Sequence, residues 1–170
     1  PGYTPDIFGL DLLSDNAVTA YSLPNGDLVI NAQGAGGTSF STPNTADTSA
    51  ITFFGGTGDD TAVTGAGADL LETGAGDDRI FSNLGDDIVR AGFGNDSVDG
   101  GQGNDQLFGG VGSDTIYGGV GNDTVDGGEG ADILFATAGA DTLTGGPGSD
   151  VFRFESGSNY ELDTITDFTP

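Results

Sequence analysis

The sequence predicts an all-β protein in which short parallel strands wind into a coil of two stacked sheets, and two observations support this fold. The first is a nine-residue pattern, Gly-Gly-x-Gly-x-Asp-x-apolar-x, which occurs four times without insertion over residues 100–135. The second is the form of this unit: positions seven to nine suffice for a short strand with its middle side chain inward, and the preceding glycines permit a tight turn. Two nonapeptides therefore complete one turn of the coil, and the loops of repeats n and n+2 lie one above the other.

The repeat frame extends in both directions to give eleven units between Gly55 and Arg153. The fourth position is always glycine, whereas Asn83 and Thr137 replace the second glycine in two units. The sixth position is aspartate in every unit: Asp60, Asp69, Asp78, Asp87, Asp96, Asp105, Asp114, Asp123, Asp132, Asp141 and Asp150. The eighth position is apolar in every unit and forms the predicted inward column: Ala62, Leu71, Ile80, Val89, Val98, Leu107, Ile116, Val125, Leu134, Leu143 and Phe152. This fixed spacing argues against a disordered acidic chain.

Residues 1–54 are predicted to form a β-rich cap on the open end of the coil, because an uncovered sheet edge invites aggregation. A hairpin is expected at about 17–31, since both flanks alternate and the Leu-Pro-Asn-Gly turn at 23–26 combines a proline that presets φ with an Asn-Gly pair that accepts positive φ. Residues 32–48 are rich in Gly, Ser, Thr and Asn and predict a loop. A strand at about 49–54 leads into the first nonapeptide.

At the other end the period fails, and residues 154–170 are predicted to close the coil. Asn159 stands where the next aspartate would fall. The run Asp-Thr-Ile-Thr-Asp-Phe at 163–168 predicts a final strand, with Ile165 and Phe168 available to cover the last turn.

The composition limits the possible functions. The chain has 27 acidic residues against three basic ones, a formal net charge of −24, and no His or Cys. Such a charge would repel nucleic acid and anionic membrane surfaces, and no apolar run approaches the roughly 18 residues of a membrane span. Catalysis within these residues is not expected, because nucleophile, base and zinc motifs are absent from the sequence. A catalytic domain elsewhere in a parent polypeptide stays open.

The stacked aspartates predict metal sites along both edges of the coil. Carboxylates about 4.8 Å apart repel one another by around 1 kcal/mol per neighbouring pair even at the dielectric constant of water. Ca²⁺ would reverse this repulsion, because it accepts six to eight carboxylate and carbonyl oxygens in flexible geometry, whereas Mg²⁺ demands a stricter octahedron. Pairing loops n and n+2 gives five sites on one edge and four on the other. About nine Ca²⁺ are therefore expected, which would lower the net charge from −24 to about −6.

Residues 55–153 resemble the RTX (repeats-in-toxin) family. The resemblance implies a right-handed parallel β-roll with Ca²⁺ between successive turns, held by the sixth-position aspartates and by alternating loop carbonyls. It assigns one site to Asp105 and Asp123 with the carbonyls of Gly101, Gly103, Gly119 and Gly121. It assigns the opposite site to Asp114 and Asp132 with the carbonyls of Gly110, Gly112, Gly128 and Gly130. Members of the family are typically exported unfolded through type I secretion and fold in extracellular calcium, which implies a secreted or cell-surface location.

Three functions remain open from the sequence. The first is a calcium-dependent structural module, either an adhesin or surface-layer segment or the repeat block of a larger secreted protease, lipase or epimerase. The second is an enzyme, for which the sequence offers little support. The third is a face that binds carbohydrate or mediates lateral self-association through outward residues: Arg79, Phe81, Arg90, Phe108, Tyr117 and Phe135. For these residues an ordinary sheet surface with high β propensity is the favoured interpretation.

Overall fold

The computed structural model describes residues 11–14, 19–33, 36–42, 48–154 and 162–168, and within these ranges the chain is all β. The strands are β1 Asp11–Ser14, β2 Thr19–Ser22, β3 Leu28–Asn31, β4 Thr38–Ser41, β5 Ile51–Phe54, β6 Thr61–Val63, β7 Leu70–Ala75, β8 Arg79–Phe81, β9 Ile88–Phe93, β10 Ser97–Gln102, β11 Gln106–Val111, β12 Thr115–Val120, β13 Thr124–Glu129, β14 Ile133–Ala136, β15 Thr142–Thr144, β16 Val151–Phe154 and β17 Thr164–Ile165. In this part of the chain, no segment forms a long apolar helix of the kind that crosses a membrane.

From β3 onward, successive strands alternate between two parallel sheets. One sheet has eight strands in the order β1-β4-β6-β8-β10-β12-β14-β16, and the other has nine in the order β17-β15-β13-β11-β9-β7-β5-β3-β2. Each repeat strand pairs with the strand 18 residues away, as Val98 does with Ile116. Two nonapeptides thus make one turn of the coil, which confirms the predicted all-β parallel β-roll.

The central strands are longer than predicted. Strands β9 to β13 each span six residues rather than three, because pairing continues from positions seven to nine into positions one to three of the next unit. Gly101, for example, stays in register with Gly119, and Gln102 with Val120. Consecutive glycines carry no side chains that would separate the backbones here, so the ladder runs on to the start of each turn.

The core is a column of inward side chains between the two sheets. The eighth-position residues from Ala62 to Leu143 are fully buried, and Phe152 packs partly buried against the end of the column. Upstream of the repeats the column is continued by larger rings, with Phe40 and Phe53 at a centroid distance of 4.7 Å. Burial of each such side chain contributes roughly 1.5–3 kcal/mol.

The prediction that residues 32–48 form a loop is wrong for part of that segment. Strand β4 lies within it and pairs in parallel with β6, so that Phe40 stands opposite Ala62. Phe40 is 2% exposed and belongs to the core. The pairing is offset by 22 residues rather than 18, so this strand lies outside the nine-residue frame and its single apolar residue gave no periodic signal.

The two ends of the coil differ. At the first end β1 pairs antiparallel with β4, and β2 with β3, the latter pair joined by the turn in which the Gly26 N–H donates to the Leu23 carbonyl at 3.0 Å. At the other end β17 pairs with β15, so Ile165 stands opposite Leu143 and continues the column. Phe168 does not cover the last turn as predicted. It is 67% exposed, because the chain has already left the strand by that residue.

Candidate metal centre

The turns place the repeat aspartates in two buried stacks, one along each edge of the coil. The first ten of them, from Asp60 to Asp141, are at most 3% exposed, and Asp150 at the last turn is half-buried. Alternate units share an edge, since pairing joins repeats n and n+2. One edge carries Asp60, Asp78, Asp96, Asp114, Asp132 and Asp150, and the other carries Asp69, Asp87, Asp105, Asp123 and Asp141.

One oxygen of each carboxylate is held by the preceding turn of the coil. The backbone N–H of Asp96 donates to Oδ1 of Asp114 at 2.8 Å, and the N–H of Asp114 donates to Oδ1 of Asp132 at 2.8 Å. On the opposite edge the N–H of Asp105 donates to Oδ1 of Asp123 at 2.9 Å. These ladders fix each carboxylate inside its loop and bring every predicted aspartate ligand next to its partner 18 residues away.

The second carboxylate oxygen is buried without a hydrogen bond in five consecutive aspartates: Asp96, Asp105, Asp114, Asp123 and Asp132. In the Asp114 loop this oxygen lies about where a side chain at Gly109 would start, and a Cβ there would overlap it. An unsatisfied buried polar atom costs about 1–3 kcal/mol, and more when it is charged. An anionic oxygen in this position calls for a cation, so the residues present fit a metal ion.

Burial also raises the pKa values of these aspartates above their ordinary range. Loss of water contact, opposed by the backbone N–H bonds, raises the pKa of Asp87 to about 8 and those of Asp96 and Asp123 to about 7. The same cause raises the pKa of Asp114 to about 6. Neighbouring carboxylates add to the shift, as Asp132 does for Asp114. A stack of acids that resists ionisation is electrostatically suited to a positive charge between its members.

Glycines at positions two and four let successive turns approach closely. Gly121 has φ of +143°, and a Cβ on it would overlap the carbonyl oxygen of Gly103 in the turn below. The fourth-position carbonyls therefore point directly at the next loop. The second-position carbonyls are partly used by the sheet, because the Gly119 carbonyl accepts the N–H of Ala138 at 3.1 Å. Among the predicted carbonyl ligands, the fourth-position set Gly103, Gly112, Gly121 and Gly130 is consequently the better placed.

The two departures from glycine at position two are accommodated differently. Asn83 adopts a φ of +67°, in the left-handed region, and its side-chain amide donates to the Thr64 carbonyl at 2.7 Å. Thr137 keeps an ordinary φ, and its hydroxyl accepts the Gly119 N–H at 2.9 Å while donating to the Gly119 carbonyl. Both turns keep their carboxylate in the ladder, because Oδ1 of Asp87 accepts the Asp69 N–H and Oδ1 of Asp141 accepts the Asp123 N–H.

Sequence reasoning missed Asp163, which continues one of the ladders. Its Oδ1 accepts the N–H of Asp141 at 3.0 Å, across an offset of 22 residues. Thr164 pairs with Thr142, so the run Asp-Thr-Ile-Thr at 163–166 repeats Asp-Thr-Leu-Thr at 141–144. That repetition was the available signal, hidden by the four extra residues between the two runs.

A second polar ladder runs along the outside of the loops in the opposite sense. Here a fifth-position side chain accepts from the backbone 18 residues later, as Oδ1 of Asp77 does from the Asn95 N–H at 2.8 Å. Oδ1 of Asn95 in turn accepts the Ser113 N–H at 3.0 Å. The two ladders satisfy the backbone N–H groups of positions five and six, and neither ladder uses the fourth-position carbonyls or the second carboxylate oxygens.

Each loop supplies one inward carboxylate. Within the ranges that the structure describes, no three His, Cys, Asp or Glu side chains come together as a metal cluster. A metal ion between two turns would therefore draw two carboxylates from the stack and the rest of its oxygens from backbone carbonyls, a mixture that Ca²⁺ accepts.

One comparison with known proteins identifies these loops. The sequence model of the RTX calcium-binding nonapeptide repeat matches residues 54–89, 81–116, 90–125, 99–134 and 126–161, well over half of the chain taken together. Searches of curated proteins and of solved structures found no match.

Proposed function

Because the chain belongs to the RTX calcium-binding nonapeptide repeat family, we propose that it is a structural module whose coil is completed by Ca²⁺ between its stacked turns. The repeat block itself binds calcium and is not catalytic. The observation that carries the proposal is the row of buried carboxylate oxygens without hydrogen bonds, from Asp96 to Asp132. A divalent cation would supply the charge compensation that these oxygens lack.

We assign one Ca²⁺ to each pair of successive loops on an edge. Asp105 and Asp123 would share one ion with the carbonyls of Gly103 and Gly121, assisted by Gly101 and Gly119. Its counterpart on the other edge would use Asp114 and Asp132 with the corresponding glycines: Gly110, Gly112, Gly128 and Gly130. About nine ions follow for the whole block if every pair of repeat aspartates is used.

Folding after export is the second part of the proposal. RTX repeats are typical of secreted bacterial proteins. In metal-free surroundings the buried aspartates would have to lose water without gaining a counter-charge, which disfavours the coil. Extracellular calcium modules bind with dissociation constants of about 10⁻⁴–10⁻³ M. A chain tuned to this range would stay unfolded at low intracellular calcium and fold outside, as a segment of a surface protein or as the repeat block of a secreted enzyme.

The outward aromatic residues support the structural interpretation more than a carbohydrate or self-association face. Tyr117 and Phe135 stack on each other with ring centroids 4.2 Å apart. Arg153 lies 5.5 Å from the Phe135 ring centre, and Arg90 lies 5.5 Å from that of Phe108. These side chains cover one another along the sheet, so most of their surface serves cross-strand packing.

A calcium titration followed by far-ultraviolet circular dichroism tests the proposal. Strand signal is expected to develop cooperatively with Ca²⁺ and to be lost in chelator, while Mg²⁺ at the same concentration leaves the chain largely unfolded. Full strand signal in metal-treated buffer at neutral pH, unchanged by added Ca²⁺, would contradict it. Bound calcium counted by elemental analysis after desalting gives the stoichiometry independently of the fold.

A further inference from the structure

A groove on the outer face of the eight-stranded sheet combines apolar walls with one acidic group. It encloses about 490 Å³. Its walls include Phe81, Leu84 and Val120, and its polar groups include Asp99 and Gln102. Val120 is 57% exposed, so the apolar wall opens to solvent.

Asp99 lies on the sheet between two aromatic residues. It is in register with Phe81 on one neighbouring strand and with Tyr117 on the other, and each of these side chains is 37% exposed. The carboxylate is half-buried and has a backbone hydrogen bond from Gly101. It makes no ion pair with any of the described residues. Arg79, on the strand of Phe81, is in register with Ser97 rather than with Asp99.

The outer face of the nine-stranded sheet has a comparable row of residues in register, and this row contains a cation. There Arg90 stands in register between Glu72 and Phe108. Its Nη1 lies 3.3 Å from Oε1 of Glu72, and its guanidinium carbon lies 5.5 Å from the Phe108 ring centre. A guanidinium on one strand of this fold therefore contacts a carboxylate on one neighbouring strand and an aromatic ring on the other. In the row of Asp99, the carboxylate has an aromatic residue on each neighbouring strand, but no cation stands next to it in register.

We propose that this groove binds an arginine side chain of a basic partner peptide. The guanidinium would pair with the Asp99 carboxylate and lie against the Phe81 ring, in the kind of contact that Arg90 makes with Phe108. The methylene stem would pack along Leu84 and Val120. The net charge of −24 attracts a basic partner from a distance and would still be negative with about nine Ca²⁺ bound. Lysine fits less well, because it lacks the planar group that stacks on a ring while it pairs with a carboxylate.

A saccharide is the competing occupant, since aromatic rings also stack on sugars. The geometry favours the cation, because a carboxylate stands between the two rings and the guanidinium of Arg90 on the opposite sheet already contacts both a carboxylate and a ring. The two occupants are separated by experiment.

The test is a nuclear magnetic resonance titration of the isotope-labelled, calcium-saturated chain with a tetra-arginine peptide. A tetra-lysine peptide serves as the charge-matched comparison and maltohexaose as the saccharide. Arginine is expected to shift the amides of Phe81, Asp99 and Gly101 first and most. The variant D99N should lose at least about fivefold in affinity, the order of one charge-assisted contact. Asp126→Asn is the matched control, because Asp126 occupies the same outward position on the opposite sheet, between Phe108 and Thr144. It should change the affinity by less than about twofold.

The possible results separate cleanly. Localised shifts with tetra-arginine, loss in Asp99→Asn and retention in Asp126→Asn support the site, and weaker binding in Phe81→Leu would identify the aromatic contribution. Equal losses in the two aspartate variants, or shifts spread over all acidic loops, would reduce the effect to bulk charge and overturn the proposal. Saccharide shifts at the same amides without an arginine effect would overturn it in favour of a carbohydrate site. An unchanged calcium titration of Asp99→Asn verifies that the variant folds.

Discussion

Replacing Asp87 with asparagine should have opposite effects with and without calcium. Asp87 is 1% exposed, and burial raises the pKa of its carboxyl to about 8 from an ordinary value of 3.8. Near pH 7 the calcium-free coil must therefore keep this group protonated or bury its charge. Over about three pH units, at 1.36 kcal/mol per unit, the penalty amounts to about 4 kcal/mol. Asparagine carries no charge and avoids this penalty.

The asparagine side chain retains the local contacts of the aspartate. Its Oδ1 can still accept the Asp69 N–H, which donates to Asp87 at 2.8 Å. Its amide N–H can donate to the Ser82 hydroxyl oxygen, because that hydroxyl gives its own proton to the Gly100 carbonyl at 2.9 Å. We therefore expect Asp87→Asn to increase strand content in metal-free buffer. In saturating calcium it should lower the bound calcium by one or two ions, because Asp87 stands between Asp69 and Asp105 in its stack.

Asp86→Asn is the matched control for this experiment. It removes the same charge from the same loop, but Asp86 is exposed and its Oδ1 accepts the Asn104 N–H on the outer ladder at 2.7 Å, a role that asparagine can keep. Metal-free strand content and calcium stoichiometry should both match those of the unmodified chain. If Asp87→Asn binds as many ions as the parent, or if it folds less well without metal, then the buried carboxylates are not the ligands and the reasoning fails.

Three further predictions follow from the same contacts. First, the metal-free coil should gain strand content as the pH falls from about 8 to about 5, because burial raises the folded-state pKa values of Asp96 and Asp123 to about 7 and that of Asp114 to about 6. The stabilisation from protonating these groups is fully present below the unfolded pKa near 3.8 and is lost as the pH rises through the folded pKa values. A circular dichroism profile without a rise in strand signal over this range would contradict the prediction. Second, Gly121→Ala should lower the unfolding free energy in calcium by more than about 1 kcal/mol, because φ is +143° and the added Cβ overlaps the Gly103 carbonyl. Urea denaturation measures this loss, with Gln102→Ala at an exposed position as the control. Equal denaturation midpoints for the two variants would refute the close approach of the turns. Third, Glu72→Gln should change the unfolding free energy by less than about 1 kcal/mol, because the 3.3 Å ion pair between Glu72 and Arg90 is solvent-exposed. A larger loss of unfolding free energy in urea denaturation would contradict this prediction.

The repeat block could be predicted from the sequence, because one nine-residue period sets the positions of both the buried apolar residues and the loop aspartates. Leu107 and Asp105 lie two residues apart, so the turn that sends Leu107 inward also places Asp105 in the loop, and both recur every nine residues. The stacking of Asp105 under Asp123 followed from this without coordinates. The extension of the strands into the paired glycines did not, because glycine has low β propensity and marks turns in sequence reasoning.

The elements that escaped prediction are those displaced from the frame. Phe40 stands opposite Ala62 at an offset of 22 residues, and Asp163 reaches Asp141 at the same offset. In both cases the chain between the paired strands is four residues longer than two nonapeptides, and added length between strands costs little entropy. Period counting fails at such loops, although the pairing beyond them resumes. A local criterion would have succeeded, because Asp-x-apolar-x reappears intact at 163–166.

These two cases show how the parallel coil tolerates irregular loops. A strand can join the stack if it has one inward apolar side chain and a group that hydrogen-bonds to the neighbouring turn. The length of the chain segment that precedes the strand matters little. Thr38 meets this condition through its N–H, which donates to Asp60, and Asp163 meets it through Oδ1. The nonapeptide adds a further requirement at the interior turns, where the second carboxylate oxygens from Asp96 to Asp132 are buried without a hydrogen bond. We therefore expect the interior turns to depend on the proposed metal ions, whereas the outermost strands are held by backbone pairing.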